Sequence, residues 1–197
     1  MIFRFKKFGV IILICLALLT LASCKHRGIP KPRAYFRIEF PEKEYLLLDS
    51  VMPYSIIYPK YALIEPDLSP RAEPYWINVT FPEFNAKIHI TYKNLIQEDL
   101  YTILEDIIRL SFTHTYKADA IEEYVYIDDE HNVYGTVFEI KGNAASPLQF
   151  FATDSVKHLI RGSLYFNHIP NRDSLSPVID FLTDDILLLM ENIRWKN

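Results

Sequence analysis

Val133-Tyr134-Gly135-Thr136-Val137-Phe138-Glu139-Ile140-Lys141 is followed by the turn-forming Gly142-Asn143-Ala144-Ala145-Ser146-Pro147 and then by a second run, Leu148-Gln149-Phe150-Phe151-Ala152-Thr153. Both runs are rich in β-branched and aromatic residues, and their periodicity of two is that of strands rather than helices. The pattern extends to residues 121–128 on one side and 159–167 on the other, with Asp128-Asp129-Glu130-His131-Asn132 as a further turn. Four such runs in succession predict a β-meander.

Working outward toward the N-terminus, Asn94 can cap a helix with Gln97 three residues on, and Ile96, Leu100, Ile103, Leu104 and Ile107 follow at helical spacing to about Phe112. Before it, residues 75–81 and 86–92 alternate as strands about a turn at Pro82-Glu83-Phe84-Asn85, and residues 53–58 and 35–40 read as two earlier strands. Pro59, Pro66, Pro70 and Pro74 predict an irregular connection between them. Toward the C-terminus a second long helix begins near Asp173-Ser174, with Pro177 in its first turn and Ile179, Leu182, Ile186, Leu189 and Ile193 as an apolar stripe. Strands, helix, four strands, helix is the order of an α+β single domain, an antiparallel sheet with two long helices packed on it. In element order it resembles the Mog1/PsbP-like arrangement.

The first 23 residues are of another kind. Arg4, Lys6 and Lys7 precede an apolar run from Val10 to Ala22, too short to span a bilayer as a helix, which ends in Leu21-Ala22-Ser23-Cys24. That ending matches the lipobox of bacterial lipoproteins, in which the Cys24 sulfur takes a diacylglycerol and the freed amine a further acyl chain such as palmitate. The expected organisation is therefore a removed signal at 1–23, a lipidated cysteine and basic tether at 24–33, and an α+β periplasmic domain at 34–197. The tether, Lys25 to Arg33, carries two prolines and four fixed positive charges; in polyproline geometry, at about 3.1 Å per residue, it reaches roughly 30 Å. Retention at the inner membrane goes with an aspartate after the cysteine, and here Lys25 follows it. Surface export goes with an acidic cluster, and Lys25-His26-Arg27 is the opposite. The expected place is the outer membrane, facing the periplasm.

Removing the signal leaves 174 residues and takes the formal charge from −4 to −7, which argues against a nucleic-acid partner. With Cys15 removed and Cys24 lipidated, no cysteine remains for a disulfide or a thiolate metal site. Stability must come from packing, for which 13 Phe, 13 Tyr and 2 Trp are available. No G-x-S-x-G, H-E-x-x-H, P-loop or G-x-G-x-x-G occurs, and the six histidines lack zinc-site spacing. His89 alternates with Ile88 and Ile90 and is expected on the solvent face.

One constellation holds an acid, a hydroxyl and an imidazole together: Asp154, Ser155 and His158, with Arg161 close behind. A hydrolase needs such groups linked by hydrogen bonds of about 2.6–3.2 Å, which neighbours on a tight turn seldom achieve. The expectation is a structural polar cluster or partner contact, with no catalytic residues, no metal, no cofactor and no small-molecule ligand. The alternative is a lipid-tethered hydrolase or ligand-binding module using residues 154–161.

The chain from about Pro32 to Lys196 resembles the gliding-motility lipoprotein GldD family of the Bacteroidetes. The resemblance is carried by Tyr35-Phe36-Arg37-Ile38, Pro41-Glu42-Lys43-Glu44-Tyr45, Tyr58-Pro59-Lys60-Tyr61-Ala62, Gly142-Asn143-Ala144-Ala145-Ser146, Thr153-Asp154-Ser155 and Arg161-Gly162-Ser163-Leu164-Tyr165-Phe166. It implies a non-enzymatic part in the cell-envelope machinery for gliding, with other gliding and type IX secretion envelope proteins as partners. The membrane lipid would be held through Cys24.

Overall fold

Seven antiparallel strands in one sheet, flanked on opposite faces by two helices, organise the described part of the chain. The computed structural model describes residues 37–97, 99–113 and 118–196. Residues 1–36, and with them the expected signal, Cys24, the expected tether, Tyr35 and Phe36, lie outside the described residues. The chain divides into two compact units, Met1–Ile38 and Glu39–Asn197. Every element below belongs to the second.

In chain order these are β1 Tyr45–Leu48, β2 Tyr54–Pro59, β3 Leu63–Pro66, β4 Ile77–Phe81, β5 Ala86–Asn94, α1 Leu100–Thr113, β6 Ala118–Asp128, β7 Val133–Gly142, β8 Leu148–Thr153, β9 His158–Phe166, α2 Arg172–Glu191 and β10 Arg194–Trp195. The large sheet runs β3-β4-β5-β9-β8-β7-β6, and a small one runs β1-β2-β10. The expected meander is present: β6, β7, β8 and β9 pair antiparallel in succession. Its last strand then closes on β5, with Ile88 opposite Leu164 and Tyr92 opposite Ile160.

Alternation along the strands gives the sheet two unlike faces. One face carries Val79, Ile88, Ile90, Phe150, Ala152, Ile160 and Leu164, all buried. Against it lies α2, which also packs on β2 and so sits between the two sheets. The helix buries Val178, Ile179, Leu182, Ile186, Leu189 and Met190; four of these belong to the expected apolar stripe, whose fifth member, Ile193, is buried just beyond the helix end at Glu191. On the other face α1 covers Leu159 and Phe151 with Ile107, Leu100, Ile103 and Leu104.

Several expectations are corrected. Residues 37–40 form no strand, and the first described strand is β1. The apolar member there is used differently: Phe40 stacks on Phe181 of α2, centroids 4.3 Å apart, and Pro41 has no N–H to give a ladder. The connection after Pro59 contains β3, an edge strand whose Pro66 ends its pairing with β4 at Ile77. Asn94 does not cap α1. Its Oδ1 accepts the Ile96 N–H at 3.1 Å and starts a single 3₁₀ turn, while Asp99 caps α1 by accepting the Thr102 N–H at 3.2 Å. Pro177 falls in the second turn of α2, which begins at Arg172. The short β10, Arg194–Trp195, has no counterpart among the elements the sequence predicts.

Candidate functional site

The turn between β8 and β9 holds two of the four singled-out residues, Asp154 and Ser155, and His158 opens β9 directly after it. Ser155 adopts φ 63°, the left-handed conformation that closes the turn, and Asp154 Oδ1 accepts the backbone N–H groups of Val156, Lys157 and His158 at 2.8–3.0 Å. Burial pushes the Asp154 carboxyl up, but the three amides outweigh it and hold it below the usual carboxylate range. Thr153 Oγ1 donates to the His158 carbonyl at 2.7 Å and accepts the Ser155 N–H at 2.9 Å. Asp154 is thus committed to backbone.

His158 itself is buried. Its Nδ1 lies 2.9 Å from Tyr92 Oη, and its ring stacks on Trp195 of β10, centroids 5.4 Å apart and planes within 6°. Burial lowers its pKa, with Asp154 partly opposing. Beside it opens a pocket of 590 Å³ lined by Tyr75, Tyr92, Glu73, Lys157 and Lys196. Among the contacts described, no bond links Ser155 Oγ to His158, so acid, hydroxyl and imidazole do not form a relay of the hydrolase kind.

Arg161 stands apart. It lies three residues beyond His158 on the same strand, so its side chain leaves the opposite face, the one carrying α1. It shares that face with Ser163 and Tyr165, and across the β5–β9 ladder Thr91 is opposite Arg161 and His89 opposite Ser163. Together with Trp76, Ser69 and Asp67 these line a second pocket, of 470 Å³. His89 is therefore on the face expected of it but is half-buried, edge-on to Tyr165 at 5.6 Å. Burial and then Lys87 lower its pKa, Asp67 opposing.

A third cluster went unread in the sequence. Asp185, 3% exposed on α2, receives hydroxyl hydrogen bonds from Tyr45 at 2.7 Å and from Tyr61, and lies 3.3 Å from Lys43 Nζ. Burial and Asp185 push the phenols of Tyr45 and Tyr61 well above their ordinary value. Lys43 also sits 4.5 Å above the Phe181 ring. The signal was available: Asp185 is three residues after Leu182 and four before Leu189, inside the buried stripe, where an ionisable residue needs partners. Among the described residues no group of three or more His, Cys, Asp or Glu is placed to hold a metal.

A family model described as "Gliding motility lipoprotein GldD" matches residues 25–195. Among solved structures the chain is similar to cyanobacterial PsbP (CyanoP) from Synechocystis sp. PCC 6803, with 11% identity, a TM-score of 0.43, and coverage of 83% of this chain and 95% of that one. No curated protein matches.

Proposed function

We infer the role of this chain from one premise: it belongs to the gliding motility lipoprotein GldD family. We propose that it is a non-enzymatic structural or assembly subunit of the cell-envelope gliding machinery, tied to type IX secretion. In this reading Cys24 carries the lipid, at the outer membrane, and the folded domain faces the periplasm. The observation that carries the reading is the extent of the family match, 25–195, which begins immediately after Cys24. Two features support it. Cys24 stands at the end of the apolar run in Leu21-Ala22-Ser23-Cys24, where a lipobox places the acceptor of the lipid. The acid of the Asp154 turn is satisfied by backbone amides, as in a turn that serves the fold.

The test is affinity capture of the tagged full chain from detergent-solubilised envelopes, with mass spectrometry, in wild type and in Ser155→Ala and His158→Gln strains. Gliding and type IX secretion envelope proteins should be captured by all three, and all three strains should glide at equal protein level. Loss of gliding by both variants, with partners still captured, would favour a hydrolase instead.

A further inference from the structure

Beyond α1, the helix-bearing face of the sheet is polar, and the Arg161 pocket sits there. The Arg161 guanidinium is charged at any relevant pH, and burial penalises it. Its polar neighbours are neutral: Nη2 donates to Gln149 Oε1 at 3.0 Å, and the nearby titratable group acting on it is the Tyr165 phenol. Its Nε is buried with no hydrogen-bond partner among the described residues, and so is Oδ1 of Asn78, which stands opposite His89 one strand away. The buried Glu139, by contrast, is given both Lys141 and Arg172 as counter-ions. Where Glu139 is given two cations, Arg161, half-buried at the wall of a pocket, forms no ion pair among the described residues.

The charges around the pocket limit what can enter. Asp67, from the β3–β4 connection, is held ionised by the Ser69 N–H at 2.8 Å, and Lys87 on β5 acts on it with opposite sign. His89 between them is held toward its neutral form. Asp67 and Arg161 are the fixed charges that line the pocket, and Lys87, outside that lining, acts on Asp67 with opposite sign, so the cationic group a ligand meets here is Arg161. A planar carboxylate matches the guanidinium fork and brings one negative charge near Asp67, whereas a phosphate dianion brings up to two. Trp76 and Tyr165 add flat apolar surface to the pocket lining.

We propose that this pocket binds a ligand through one carboxylate, with Arg161 as the counter-ion and Trp76 and Tyr165 against the body that bears it. The carboxylate can belong to a peptide C-terminus or to a sugar acid. The site is independent of the gliding role, and its failure would leave that role standing.

Isothermal titration of the full chain in detergent micelles separates the sources. Acetyl-Ala-Ala-Phe is compared with its C-terminal amide, glucuronate with glucose, and inorganic phosphate is the third arm. At least one carboxylate should bind, about tenfold or more tighter than its neutral counterpart. Arg161→Gln should abolish that binding, and Arg161→Lys, which keeps the charge but not the fork, should weaken it about tenfold. Because a half-buried arginine can also matter for folding, the wild-type Arg161 Nε–H resonance is followed in parallel by NMR and should shift on titration. Failure of both carboxylates to bind or to move that resonance at millimolar concentration overturns the proposal. So does equal binding of the neutral counterparts, or tighter binding of phosphate.

Discussion

Tyr45 donates its hydroxyl to Asp185 at 2.7 Å, joining the first described strand to the final helix across 140 residues of sequence. Tyr61 and Lys43 converge on the same carboxylate, so one buried acid ties β1, the β2–β3 connection and α2 together. Asp185→Ala would leave two phenols and an ammonium without their shared acceptor. Removing one partner of a buried charged set costs about 3–5 kcal/mol, far more than the surface pair Lys60–Glu44 is worth. Urea unfolding of the variant should show a loss of that order; a loss under about 1 kcal/mol would mean the cluster is not buried as described.

Gly162 and Phe150 are opposite one another on β9 and β8, and the phenyl ring occupies the space a side chain at 162 would need. A Cβ there would lie 2.1 Å from Phe150 Cε1, and one on Gly135 would lie 2.2 Å from the Phe151 carbonyl oxygen. Gly162→Ala should cost about 1–3 kcal/mol through overpacking. Combining it with Phe150→Leu should cost less than the two single losses added together, since both act on one space. Gly135→Ala should be the worse of the glycine variants, because backbone yields less readily than a ring. Thermal unfolding of the four proteins checks the order, and strict additivity would overturn it.

His89 and His158 both have pKa values lowered chiefly by burial. The unfolded chain, with histidines near about 6.5, takes up protons that the folded chain resists, so the unfolded state binds more protons and stability rises with pH. The contribution is fully present above about 6.5 and is lost as pH falls from there through the lowered folded values. The groups facing His89 are Lys87, Asp67 and Tyr165, and those facing His158 are Tyr92, Trp195, Asp154 and Lys157. Ordinary carboxylates titrate near about 4, so urea midpoints between about pH 7.5 and 5.5 isolate the histidines. The midpoint should fall with pH, and less steeply in a His89→Gln, His158→Gln double variant. A midpoint that rises on acidification would refute the assignment.

Why the meander could be read from sequence while its neighbours could not is a matter of which forces leave a local trace. Val133 to Lys141 and Leu148 to Thr153 alternate because each strand must bury one side, so the constraint is written into consecutive residues. Phe40 is held by Phe84 and Phe181, and Asp185 by Tyr45 and Tyr61, partners more than a hundred residues off in all but one case, so no window of sequence contains the reason for their placement. The site divides in the same way. The Asp154 turn was legible because an Asx turn is local. The separation of His158 from Arg161 follows from strand parity alone, yet their nearness in sequence suggested one cluster. The Arg161 pocket needs His89 from β5 and Trp76 from the connection before β4, residues that only the pairing of β5 with β4 and β9 brings beside Arg161.

The last prediction separates anchoring from recognition. If Cys24 carries the lipid, replacing residues 1–24 with an ordinary cleavable secretory signal yields an unanchored periplasmic form. It should fold normally, because every strand and helix described lies within Glu39–Asn197 and the earliest begins at Tyr45. Urea unfolding should match that of the anchored protein. The form should nevertheless fail to support gliding at native expression, since a lipid confines the domain to a thin layer beside membrane-bound partners and raises its effective concentration there. Overexpression should restore motility in part, because mass action compensates for lost confinement but not for a missing interface. Cys24→Ala in the native signal should accumulate as a precursor without labelled palmitate, the sulfur being the acceptor. Full gliding by the unanchored form at native level would show that attachment contributes little; persistent label in Cys24→Ala would place the anchor elsewhere.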